Sequence, residues 1–189
     1  EEQGTVSVQD LTESLDASEA TIRRDLSQLA QMGKLKKIYG GAASLETGYQ
    51  TREIRVEERQ ELYVEEKKQI AKYAASLIEP GDFVYVDAGS STEYLVEYIE
   101  ERDASYVTNS MSHALKLAGR GMKVSILGGN VKGTTEAVVG ADAMETLRRY
   151  HFTRGFWGAD GIRKKEGCTT PEMEEAAVKR LSMKQTREC

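Results

Sequence analysis

Asp87-Ala88-Gly89-Ser90-Ser91-Thr92 places a glycine and three hydroxyl side chains between an apolar run ending at Val86 and a helical pattern starting near Glu93. Backbone N–H groups, hydroxyls and a helix N-terminus can converge on an anion from such a segment, so phosphate is the chemistry it suits. Hydroxyl residues also cap helices for purely local reasons, and that is the rival reading of the same six residues. Three more polar loops follow short apolar runs: Thr108-Asn109-Ser110, Leu127-Gly128-Gly129 and Gly158-Ala159-Asp160-Gly161. In an open α/β sheet, loops at the carboxyl ends of strands assemble one ligand pocket, and four such loops together say more than any one.

A second cluster is basic. Between Thr21 and Tyr39 the charged residues are Arg23, Arg24, Lys34, Lys36 and Lys37 against a single acid, Asp25. That local excess suits a phosphate-contacting surface even in a chain of net charge −5. Ser18, Glu19, Thr21 and Arg24, near the start of a helix, are the candidates to reach base edges, while Arg23, Lys34, Lys36 and Lys37 are placed to hold the DNA backbone. The plain alternative is a solvated helix face.

The elements that must position these residues can be read from periodicity. Ser7 caps a helix carrying Val8, Leu11 and Leu15 on one face, and Ser18 caps a second with Ile22, Leu26, Leu29 and Met32. Gly33 stands where a helix should stop, and Lys34 to Gly41 alternates as a β-hairpin would. Two short helices and a hairpin make a winged helix-turn-helix over residues 1–45. Residues 46–56 lack periodicity and read as a linker. A long charged helix is expected from Glu57 to Ile78, before Pro80-Gly81. Strands at 83–86, 106–107, 123–127 and 155–157 then alternate with helices at 92–99, 111–118, 141–150 and 171–183. This βα alternation predicts a parallel sheet with helices on its faces over 57–189.

Composition narrows the function classes. With 39% hydrophobic and 30% charged residues the chain is expected to be a soluble, cytoplasmic globular protein, without membrane contact. Cys168 and Cys189 have no second cysteine or histidine at metal-ligand spacing, so neither a metal nor a disulfide is expected. His113 and His151 read as packing or surface residues, and Trp157 as the core end of a strand or part of a pocket wall.

Val6-Ser7-Val8-Gln9-Asp10-Leu11, Ser18-Glu19-Ala20-Thr21-Ile22-Arg23-Arg24-Asp25-Leu26, Gly33-Lys34-Leu35 and Gly40-Gly41-Ala42 resemble the signature of the DeoR family of transcriptional regulators. Tyr39 stands where that family usually has a histidine. The family's first helix is largely missing, and its members usually continue beyond the residue that is last here, so the chain reads as truncated at both ends. The four loops, together with Gly167-Cys168-Thr169-Thr170-Pro171 and Glu175-Ala176-Ala177-Val178-Lys179-Arg180, resemble the family's effector domain, whose fold is related to that of ribose-phosphate isomerases.

The resemblance implies a repressor of a sugar-utilisation operon, binding double-stranded operator DNA as a homo-oligomer and controlled by a phosphorylated sugar, with no cofactor and no catalytic residue. Ser90, Ser91 and Thr92, with Gly89, would hold the phosphate. Asp87, Asn109 and Asp160 would meet sugar hydroxyls, and Lys179 would balance charge. Thr108, Ser110, Gly128, Gly129 and Gly161 would complete the wall. Two rivals stay open: a sugar-phosphate isomerase using Asp87, Asp160 or Glu175 as general base, and an interaction module whose basic wing binds an acidic partner.

Overall fold

The computed structural model describes residues 5–38, 40–44 and 56–189. It divides into two compact units, Glu1–Thr51 and Arg52–Cys189. In the first, β1 (Thr5–Ser7) leads into α1 (Val8–Leu15), α2 (Glu19–Gln31), β2 (Leu35–Ile38) and β3 (Gly41–Ser44). Ser7 and Asp10 close a reciprocal capping box on α1, and the Ser18 hydroxyl accepts the Thr21 N–H at the start of α2. The wing strands pair antiparallel, and β1 adds a third strand in the order β1-β3-β2. Only glycine fits at position 41, because a Cβ there would lie 2.0 Å from the Val6 carbonyl oxygen of β1.

Val8, Ile22, Leu26 and Ala42 form this unit's buried core. The apolar face expected on the two helices extends further than that core: Leu15, Leu29 and Met32 are 63%, 40% and 61% exposed. Of the expected linker 46–56, only Val56 is described, as the first residue of the next helix. The remainder, like Tyr39, lies outside the described residues.

The second unit opens with α3 (Val56–Gln60) and α4 (Val64–Ala75). It continues through β4 (Phe83–Val86), α5 (Ser90–Tyr98), β5 (Ser105–Thr108), α6 (Met111–Gly119), β6 (Lys123–Ile126), β7 (Asn130–Lys132), β8 (Ala137–Val139) and α7 (Ala141–Leu147). It ends with β9 (Phe152–Phe156), β10 (Gly161–Arg163), β11 (Gly167–Thr169), α8 (Met173–Lys184) and β12 (Thr186–Glu188). Five strands form a parallel sheet in the order β12-β9-β4-β5-β6. Alternation along β4 sends Val84 and Val86 into one core with Leu95, Val96 and Leu117. It sends Tyr85 into another with Val107, Leu147, Phe152 and Val178. Both faces of the sheet are therefore covered, as a parallel sheet requires.

Several boundaries differ from those expected. β12 and the hairpins β7–β8 and β10–β11 are three-residue strands, too short for alternation to register in the sequence. Helix α5 begins at Ser90, so the three hydroxyl residues occupy its first turn instead of preceding it. The long helix expected over 57–78 is broken. Tyr63 adopts left-handed angles (φ 54°, ψ 44°) between α3 and α4, and the helix ends at Ala75.

The break can be tested through Tyr63, which is 74% exposed. Left-handed backbone costs a non-glycine residue roughly 1–2 kcal/mol, part of which glycine recovers against its own chain entropy. Tyr63→Gly is expected to leave stability unchanged or raise it by up to about 1 kcal/mol in chemical denaturation. A loss of about 1 kcal/mol, the usual penalty of glycine inside a continuous helix, would contradict the break.

Candidate functional site

Successive strands β4, β5 and β6 step to one side of the sheet, and β9 and β12 lie on the other, so the strand order reverses between β4 and β9. Ligands of open α/β sheets bind outside the carboxyl ends of the strands at this switch point. Two of the sequence-predicted segments emerge there: 87–92 after β4, whose last three residues open α5, and 158–161 after β9, whose last residue opens β10.

Asp87 is fully buried, and its Oδ2 pairs with the Lys179 ammonium of α8. Burial pushes the Asp87 carboxyl up from its ordinary range, partly offset by Lys179. Its Oδ1 makes no well-formed hydrogen bond among the described residues, although the Gly158 backbone N–H faces the carboxylate and helps lower its pKa. The Asp87 N–H donates to the Phe156 carbonyl at 3.0 Å, tying the β4 loop to β9. Thr92 Oγ1 reaches back to the carbonyls of Asp87 (2.6 Å) and Gly89 (2.9 Å), and Asn109 Oδ1 accepts the Ala88 N–H at 2.7 Å. The Thr92 hydroxyl and the Asn109 amide oxygen therefore shape the loop.

No side chain caps α5, whose N-cap is Gly89, so the first-turn N–H groups of Ser90, Ser91 and Thr92 remain available to an anion. Ser90 Oγ accepts a 3.0 Å hydrogen bond from the Lys67 ammonium, which also donates to the Arg59 carbonyl. Arg59 in turn pairs through Nη1 with Asp160 Oδ1. Sequence reasoning missed both cations, because 23 residues separate Lys67 from Ser90 and 101 separate Arg59 from Asp160. The break at Tyr63 was the only local sign, and it left no mark in the pattern.

The remaining predicted residues serve the neighbourhood of the site. Thr108 Oγ1 accepts the Ser110 N–H, and Ser110 caps α6 through the His113 N–H. Gly128 and Gly129 are exposed at the end of β6. A Cβ on Gly129 would meet the Val139 oxygen at 2.5 Å, which explains that glycine by the β7–β8 hairpin alone. Gly161 pairs with Thr169 in the β10–β11 hairpin. Glu175 is buried against Thr135 (2.6 Å) and Lys132 (3.4 Å). Trp157 donates to Ser182 Oγ at 2.9 Å and stacks near Tyr85 in the core.

In the first unit the predicted DNA-facing residues separate by what already holds them. Ser18 and Thr21 bond each other at 2.9 Å as part of the cap, and Arg23 is held by Glu19 at 2.6 Å. Lys37 donates to Ser27 at 2.8 Å. Arg24 is 78% exposed with only a 3.6 Å approach to Asp25, and Lys34 is exposed. The Lys36 side chain lies outside the described residues.

Comparison with known proteins decides what this pairing of units is. The family model of the DeoR-like helix-turn-helix domain matches residues 1–48, and that of the DeoR C terminal sensor domain matches residues 63–189. The chain belongs to the DeoR family. It is a DNA-binding transcriptional regulator, not an isomerase. Over 99% of its length it is 36% identical to an uncharacterized HTH-type transcriptional regulator FruR of Bacillus subtilis, covering 74% of that protein. It is 32% identical to a lactose phosphotransferase system repressor of Staphylococcus epidermidis, over 98% of this chain and 74% of that one. A solved ribose 5-phosphate isomerase from Plasmodium falciparum aligns with 64% of this chain and 47% of its own at 15% identity. Its TM-score of 0.39 is too low to add to the assignment. No helix among the described residues is long and apolar enough to cross a membrane.

His113 gives this regulator's sensor domain a measurable acid sensitivity. Burial lowers its pKa from 6.5 to about 4 despite the nearby Glu93 carboxylate, and the Lys116 ammonium lowers it further. The folded state thus binds fewer protons than the unfolded chain between those values, so stability falls as pH drops from 6.5 towards 4. The full gap corresponds to about 3 kcal/mol. His113→Gln is expected to remove this slope, so the stability difference between wild type and variant should shrink by about 2–3 kcal/mol from pH 7 to pH 4 in urea titrations. A difference independent of pH would show that His113 titrates normally.

Proposed function

We propose that this regulator represses a sugar-utilisation operon and that a phosphorylated sugar, bound where β4 and β9 end, changes its affinity for operator DNA. The observation that carries the reading is the uncapped first turn of α5 at the sheet's switch point. There backbone N–H groups and the Ser90 and Ser91 hydroxyls suit a phosphate. Asp87 Oδ1, buried and without a well-formed hydrogen bond among the described residues, suits a sugar hydroxyl, and Asp160 offers a second carboxylate. Lys179 offsets the Asp87 charge, and Asn109 holds the loop in shape. The lactose phosphotransferase repressors among its relatives are named for sugar uptake, which supports the substrate class. Binding in the cytoplasm, where operator DNA and sugar phosphates meet, follows from the same reading.

Calorimetric titration with the phosphates of fructose, tagatose, glycerol and deoxyribose tests the site. One of them is expected to bind, and Ser91→Asp, which puts a fixed negative charge in the cradle, is expected to abolish the binding. That ligand should shift DNA affinity several-fold to hundred-fold, a coupling of about 1–3 kcal/mol, in the direction of release. Unchanged affinity in Ser91→Asp, or conversion of the ligand by wild type, would refute the reading.

At the other unit, Arg24 is proposed to read a guanine edge, whereas Lys34, Lys36 and Lys37 hold phosphates. Arg24→Ala is expected to lower the preference for operator over random DNA by about 1–3 kcal/mol per half-site, while Lys37→Ala weakens both equally and reduces the salt dependence. One wing reads few base pairs, so the functional form is taken to be a homo-oligomer on paired half-sites. Sedimentation of the same complexes should show at least two chains per operator. An unchanged preference in Arg24→Ala, or a single chain on a full operator, would overturn these assignments.

A further inference from the structure

We propose that Arg59 is the ligand-responsive element of the sensor site: when phosphate occupies the α5 N-terminus, the Arg59 guanidinium exchanges Asp160 for the anion, with Lys67 held beside it as the second cation. The inference rests on the proposed anion site and adds the two residues that make the site responsive.

Arg59 is joined to the cradle by a short chain of bonds. Its carbonyl accepts from Lys67 Nζ, and the same ammonium donates to Ser90 Oγ in the first turn of α5. Its guanidinium is held by Asp160 through Nη1, while Nε is buried without a hydrogen-bond partner among the described residues. Guanidinium carries five donors in a planar fork that matches a tetrahedral oxyanion in bidentate fashion, so a hold through one nitrogen leaves most of that capacity unspent. Neither of Lys67's partners is charged, and burial together with the nearby Arg59 guanidinium lowers its pKa. Two cations and an uncapped helix start thus converge where, among the described residues, Asp160 is the one carboxylate paired with either cation. Ala159 and Asp160 are exposed, so water can solvate that carboxylate once it is released.

Gln60, the next residue, is fastened to Glu93 of α5 at 2.5 Å, and Tyr94 reaches the Gln60 carbonyl at 3.4 Å, so α3 is held to the body of the domain while the Arg59 head group changes partner. In sequence, α3 is the first described element after the stretch that joins the two units.

Inorganic phosphate is the probe, because it has no sugar hydroxyls for Asp160 to bind. Its affinity for the full chain is measured by calorimetry for wild type, Arg59→Gln, Asp160→Asn, the double variant and Ser91→Asp, with thermal unfolding to confirm folding. Arg59→Gln is expected to weaken phosphate binding by about tenfold or more, the worth of one charge-assisted hydrogen bond. Asp160→Asn should tighten it several-fold by releasing Arg59, which damage to the fold would not do, and the double variant should match Arg59→Gln. Amide hydrogen exchange over residues 56–60 should respond to saturating phosphate in wild type and not in Arg59→Gln. If Ser91→Asp abolishes binding while Arg59→Gln and Asp160→Asn leave it unchanged, the exchange of partners is refuted and the anion site stands. If wild type binds no phosphate, both fall.

Discussion

A carboxylate buried at the end of the central strand imposes most of what surrounds it. Asp87 has no exposure to water, and a charge in that position is tolerable only when paired and hydrogen-bonded. Lys179 supplies the pairing from α8, 92 residues further along the chain, so the last helix must pack against the first sheet strand. Breaking such a pair by removing one partner costs about 3–5 kcal/mol, which makes Asp87–Lys179 a lock on the domain as well as a wall of the proposed site. The same residue's N–H and carbonyl bind Phe156 and Thr92, and three elements are thereby fixed around one side chain.

Once that loop is fixed, the start of α5 is fixed with it. Ser7, Ser18 and Ser110 close the starts of α1, α2 and α6 with their hydroxyls, whereas Gly89 offers none to α5. The Gly89 backbone is extended at φ 162°, which any residue could adopt, so conformation does not require a glycine there. What the glycine does is leave the N–H groups of the first turn uncovered. Thr92, which could have competed for them, is turned back onto the carbonyls of Asp87 and Gly89.

The sequence made the two-unit plan, the four main sheet strands and the β4 loop legible, because apolar runs and glycine-hydroxyl clusters are local signals. Helix caps were legible too: Ser7 and Ser18 act as their types and positions suggest. Three-residue strands escaped notice because alternation needs length, and the break at Tyr63 escaped because tyrosine is an ordinary helix residue with no turn chemistry of its own. Thr92 and Asn109 were expected to meet the ligand, and their type could not show that their side chains bind the loop. The partners of Lys67, Arg59 and Lys179 depend on which strand ends meet, and that is decided by sheet order, which no local pattern encodes.

The break at Tyr63 and the cations at the cradle belong to one arrangement. A continuous helix from 57 to 78 would have placed Arg59 and Lys67 at fixed spacing along a single axis, eight residues and about 12 Å apart. Ending α3 at Gln60 and restarting at Val64 instead lets Lys67 Nζ reach the Arg59 carbonyl while α4 still buries Ala71 against the sheet. Left-handed angles on an exposed tyrosine are an unfavourable local choice, and the geometry around them is what offsets it: two like charges are drawn together beside Ser90, with Asp160 as the sole carboxylate answering Arg59 among the described residues. Like charges held close raise the free energy of the state without an anion, so under the proposed function an anion at Ser90 would draw part of its binding energy from the way α3 and α4 are joined.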